Sequence, residues 1–275
     1  ALQAELTKGD SFAAARQRAV AALLSPSDAA LLSSPNNTLG IEYGRALLRV
    51  GAAPALFTIP RTGAAHDATP ENAGGYSASA IRHLLAEGRR ADALSRMVPA
   101  MRTVYEVEEA AGRAPVFAAA CGRAILARLR SMTPAEFDAL DTGHEGVGQR
   151  LYNASRNAAT LDAVLDNAKT KRYAYARLRR MVLWAYLGLS PAELPASVPY
   201  LRVLAANETG RALLGRMRKT ARFPVITKPA AIRSLSPDSQ RLFETESRAA
   251  DLYALAYPEL TEACGSLWRQ NPVMP

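Results

Sequence analysis

The chain has 275 residues, 49% of them hydrophobic, and a formal net charge of +9. That composition excludes wholesale disorder and allows one large domain or two modest ones. No apolar run reaches membrane-spanning length and no secretory signal is visible, so no membrane partner and a cytoplasmic setting are expected.

Alanine is abundant, aromatics are few and β-branched runs are rare, which predicts a mainly α chain with a minor α/β part. The opening ALQAELTKGD lacks a methionine and reads as helix interior, as the middle of a larger protein would. Leu2 to Leu24 is helical, interrupted at Gly9, with Asp10 or Ser11 as the next N-cap. SPSDAALLSS is a turn with a short helical piece, and a further helix runs to about Val50, stopped by Gly51. Pro35, Asn36 and Asn37 crowd its entrance, where one asparagine would suffice as a cap. PALFTIP is the best strand candidate. The polar, glycine-rich loop Arg61 to Tyr76 and a short helix, SASAIRHLLAEG, follow it.

A domain boundary is expected near Val98 to Met101, dividing the chain into 1–98 and 99–275. Beyond it the spacing predicts helices around Met101–Ala111, Val116–Met132, Gly146–Asn157, Leu161–Ala168, Tyr173–Leu187 and Pro237–Tyr257. PYLRVLA and FPVIT read as short extended pieces.

Charge is concentrated between Lys169 and Arg222, where only Glu193 and Glu208 oppose twelve basic residues. Such clustering favours a polyanion such as RNA. In KTKRYAYARLRRMVLWAYLG the residues Lys171, Arg172, Arg177, Arg179 and Arg180 can hold phosphates, while Tyr173 and Tyr175 could stack on unpaired bases. Trp184 and Tyr186 read as core.

The helix start Ser77 to Arg82 is a candidate anion site, since free N–H groups and the helix dipole favour phosphate there. Arg82 lies one turn after Ser79 on the same face, and Arg61 supplies a second cation across the loop. His66, His83 and His144 read as structural, Glu145 and Arg150 as residues that cap and pair a helix, and no metal spacing exists between the distant Cys121 and Cys264. No Walker loop, dinucleotide fingerprint or nucleophile elbow is present.

PNNTLGIEYGRAL, SASAIRHLL, HEGVGQRL, TKRYAYARLRRMVLWAYLG, PYLRVLAANETGRALL and PVITK occur in this order. Together they resemble the bacterial tRNA(Met) cytidine acetate ligase family of the His-x-Gly-His nucleotidyltransferase superfamily. The resemblance implies ATP as cofactor, with Mg2+ left open. It also implies acetate activated as acetyl-adenylate, and transfer of the acetyl group to N4 of the wobble cytidine of elongator tRNA(Met). Asn36, Arg61 and Thr62 match nucleotide-contacting positions, and SASAIR, with Ser79 and Arg82, resembles a phosphate motif. Asn37 would then cap its helix and leave Asn36 for the nucleotide.

The implied fold is the C-terminal portion of a Rossmann-like nucleotidyltransferase domain followed by a helical RNA-binding domain. This chain has no His-x-Gly-His, so the resemblance makes it a fragment lacking the family's N-terminal part and catalytically incomplete by itself. The alternatives are a non-catalytic helical tRNA-binding module and an adenylyltransferase of small molecules. The basic cluster speaks against the last.

Overall fold

The first helices form where glycine, serine and proline punctuate the chain. The computed structural model describes residues 1–9, 12–59, 77–141, 145–260 and 263–274. α1 (Leu2–Leu6) ends in a turn where Gly9 takes φ +82°, a conformation that disfavours a side chain. α2 (Phe12–Ala21), α3 (Pro26–Leu31) and α4 (Pro35–Val50) follow. The Ser25 hydroxyl caps α3 by accepting from the Asp28 N–H, and Gly51 ends α4 as expected. The caps expected at Asp10 or Ser11 lie outside the described residues.

Two expectations fail in this part. α4 starts at Pro35, with Ser34 in the N-cap position, so Asn37 does not cap it. Proline suits the first helical position because the N–H it lacks has no partner there anyway. That moves the helix start ahead of both asparagines. Nor does PALFTIP form a strand: Leu56, Phe57 and Ile59 are exposed, Phe57 to 91%. A strand exists only by pairing, and no partner for it is found among the described residues. The loop Arg61 to Tyr76 lies outside them.

α5 (Ala78–Ala86) and α6 (Arg90–Ser95) pack together and bury Ala80, Leu84, Ala93 and Leu94. α7 (Pro99–Ala110) follows. A 3-10 turn at Ala118–Cys121 leads to α8 (Gly122–Ser131), α9 (Pro134–Ala139), α10 (Val147–Asn157), α11 (Leu161–Ala168) and α12 (Tyr175–Leu187). These five helices enclose the main core, in which Leu129, Phe137, Leu151, Val164 and Leu178 are fully buried. Trp184 and Tyr186 pack against it, as expected. α10 approaches α9 so closely that a Cβ on Gly148 would stand 2.6 Å from the Phe137 carbonyl oxygen.

Four arginines close the ends of these helices. The last carbonyls of a helix lack partners within it. Arg150 donates to the carbonyls of Ala168 (2.7 Å) and Asn167 (3.0 Å), at the end of α11. Arg130 donates to Ala158, Arg156 to Met132 and Arg128 to Ala185, at the ends of α10, α8 and α12. Part of the chain's positive charge is therefore internal scaffolding.

β1 (Leu201–Arg202) and β2 (Val225–Ile226) pair in parallel, Leu201 opposite Val225, where the two extended pieces were expected. Between them runs α13 (Glu208–Thr220), a helix with no buried residue. α14 (Pro237–Ala254) and α15 (Ser266–Arg269) complete the chain. A second core joins Tyr200, Ile226, Ile232 and Phe243, with the Trp268 ring edge-on to Phe243 at 4.6 Å. The fold is mainly α, as expected.

Candidate functional site

The nucleotide-side residues stand at two helix starts. Asn36 is an exposed residue in the first turn of α4, where helix geometry leaves N–H groups without intrahelical partners. At the start of α5 the Ser77 hydroxyl accepts from the Ala80 N–H at 3.1 Å. Ser79 is half-buried in that first turn, and Arg82 is exposed one turn further along. Ser79 and Arg82 thus share one helix. No hydrogen bond joins either of them to Asn36 among the described residues. Arg61 and Thr62 lie outside the described residues, as do His66 and His144. His83 Nε2 meets Glu87 Oε1 at 3.0 Å on the surface of α5, a structural role.

The basic cluster at the start of α12 divides into engaged and open cations. Arg177 is held from two sides: Nη1 donates to Glu145 Oε2 at 2.6 Å and Nη2 to Asp141 Oδ1 at 2.9 Å. Buried Asp141 in turn accepts from the N–H groups of Glu145 and Val147, fixing the start of α10. The Arg177 guanidinium, with Arg172 behind it, holds the Glu145 carboxyl below the usual carboxylate range. Arg177 is thus a brace between α12 and the turn before α10. Arg172 lies 3.5 Å from Glu145 and is exposed. Lys171 and Arg180 are exposed without an ion pair among the described residues, and Arg179 rests over the Tyr175 ring at 5.6 Å.

The stacking expected of Tyr173 and Tyr175 is not available. Tyr173 is buried in the main core and its hydroxyl donates to the Glu145 carbonyl. The Tyr175 hydroxyl bonds the Asp166 carboxylate, and Lys169 and Arg179 both lie over its ring.

The largest open set of cations is on α13. Arg211, Arg216, Arg218 and Lys219 are exposed and make no ion pair among the described residues; nor does exposed Arg222 just beyond the helix. Leu213, Leu214 and Met217 gather on the opposite side at helical spacing. Leu213 and Leu214 line an open hollow with Val203 and Val273. No helix was expected at this place. The signal was present: Asn207 caps the helix by accepting from the Gly210 N–H, ahead of that apolar spacing.

Elements this closely arranged recur in known proteins. The model of the HIGH nucleotidyl transferase family matches residues 1–266. This chain belongs to that family. Within it, the chain groups with tRNA(Met) cytidine acetate ligases. That of Acetivibrio thermocellus is 31% identical, over 99% of this chain and 69% of its own length. That of Thermotoga petrophila is 28% identical, over 96% of this chain and 68% of its own. The crystal structure of apo Thermotoga maritima TmcAL superposes with a TM-score of 0.90 at 26% identity, covering 99% of this chain and 69% of that one. The same protein bound with alpha-thio ATP gives 0.89 over 99% and 68%. Nothing in these matches supports the expectation that this member lacks the family's N-terminal part.

Proposed function

We propose that this chain is a tRNA(Met) cytidine acetate ligase that works in the cytoplasm on elongator tRNA(Met). The likeness to a protein bound with alpha-thio ATP, across 99% of this chain, carries the reading. In it, residues 1–98 belong to a Rossmann-like nucleotidyltransferase domain and residues 99–275 to a helical RNA-binding domain. Asn36, Arg61, Thr62, Ser79 and Arg82 hold ATP, the Asn36 amide offering both donor and acceptor to the nucleotide. Magnesium is left open, and where used it would be carried on the phosphates of ATP. No three metal-ligating side chains cluster among the described residues.

The chemistry runs in two steps. A carboxylate oxygen of acetate attacks the α-phosphorus and pyrophosphate leaves, giving acetyl-adenylate. The N4 amine of cytidine then attacks the acetyl carbonyl, forming the amide and releasing AMP and a proton. Arg82 and the N–H groups at the start of α5 face the phosphate charge that moves in the first step. The exposed cations Lys171, Arg172, Arg179 and Arg180, with the basic side of α13, grip RNA phosphates. Arg177 holds the turn that presents them.

The test combines the protein with ATP, labelled acetate and elongator tRNA(Met). Label on N4 of a cytidine supports the reading. ATP-independent tRNA binding without label supports the second reading, a tRNA-binding module. Asn36→Ala and Arg82→Ala should each weaken ATP binding about ten- to a hundredfold by calorimetry, at unchanged melting temperature.

A further inference from the structure

We infer that the groove between α5, α7 and the end of α14 receives one unpaired cytosine of the RNA substrate, stacked on Tyr253. The inference rests on the RNA-binding part of the proposed function.

Two hollows meet there. One, of 420 Å³, lies between Arg82 of α5, Met101 and Tyr105 of α7, and Tyr253 and Tyr257. The other, of 510 Å³, continues past Tyr253 and Tyr257 towards Arg269. Both are within the size range of small-ligand sites. An ion pair between Arg90 and Glu109, at 2.6 Å, ties α6 to α7.

The ridge between the hollows has an aromatic surface. Tyr253 and Tyr257 pack edge to face, centroids 5.8 Å apart at 88°, which steadies the Tyr253 ring. Tyr253 as a residue is 56% exposed. A fixed, solvent-facing ring beside cations is the arrangement on which unpaired bases stack. Tyr173 and Tyr175 cannot serve in this way, being buried or covered by cations.

Base identity comes from the ion pair shared by both hollows. Arg113 Nε donates to Glu108 Oε2 at 2.6 Å and Nη2 to Oε1 at 3.0 Å. Arg113 holds the Glu108 carboxyl below its usual range, so it is an ionised acceptor at neutral pH. Each carboxylate oxygen keeps a lone pair free for a further donor. Cytosine offers such a donor in its 4-amino group, whereas uracil presents a carbonyl oxygen there.

The experiment uses the full chain and an elongator tRNA(Met) anticodon stem-loop carrying a fluorescent cytosine analogue at the wobble position. Wild-type binding should quench the analogue. Tyr253→Ala should remove the quench and weaken binding about five- to a hundredfold, while Tyr253→Phe keeps both. Glu108→Gln should narrow the preference for cytosine over uracil at that position. A melting curve for each variant controls for folding. Unchanged quench and affinity in Tyr253→Ala overturn the inference and leave the proposed function standing. Failure of the wild type to bind RNA at all overturns both.

Discussion

α1 to α4 and α8 to α12 are both runs of short helices with alanine-rich stretches, yet they are held together differently. Among the described residues of the first run, only Ala15, Ala19 and Ala29 are buried. Among its described residues α4 buries none, and Leu39, Tyr43, Leu48 and Val50 on it are exposed. The second run buries Phe137 and a layer of leucines and valines, and its helix ends are closed by arginines from neighbouring helices. The first run therefore holds its helices with little burial; the second owes them to packing. Isolated helices of such length are marginal in water, so packing dominates where it is available.

This contrast can be broken by mutation. The largest effect is expected from Phe137→Ala, which empties the centre of the second run. It should cost about 3–5 kcal/mol in denaturant unfolding. A loss below about 1 kcal/mol would mean that the five helices do not depend on their core.

A smaller effect is expected at the brace. The folded-state pKa of Glu145 lies below its ordinary value of 4.5, chiefly through Arg177. The stability it contributes is therefore complete above that value and fades as pH falls through the folded pKa. Glu145→Gln should remove on the order of 1 kcal/mol at neutral pH. It should also flatten the loss of stability between neutral pH and about pH 3, read from urea midpoints. A variant as acid-sensitive as the wild type would detach Glu145 from that role.

The smallest effect is expected in the first run. Leu48 is 84% exposed, and Leu48→Ala should change unfolding free energy by no more than about 0.5 kcal/mol. A loss comparable with that of Phe137→Ala would show that α4 is covered in solution and would erase the contrast.

Much of the helix order was legible, because Gly9 and Gly51 mark ends by local chemistry. What depends on distant partners was not. PALFTIP has strand composition, but composition cannot supply a neighbouring strand. Arg177 looked open because Glu145 and Asp141 stand 32 and 36 residues away. Tyr173 and Tyr175 sit among cations in sequence, yet folding turns the first into the core and lays cations over the second. α13 was missed because Gly210, Gly215 and its arginines dilute a short apolar face. On the nucleotide side, the resemblance pointed to Asn36, Ser79 and Arg82, and folding sets each in a helix whose first turn is near at hand.

α13 carries one more consequence. Its amides are shielded only by the hydrogen bonds of its own turns, since no residue along it is buried. Exchange of those amides with deuterated solvent therefore proceeds by local opening, decoupled from the slow global unfolding that governs the amides of α8 to α12. RNA laid across the basic side of α13 would stiffen the turns beneath it, and the ligand's footprint would be written there as newly slow protons.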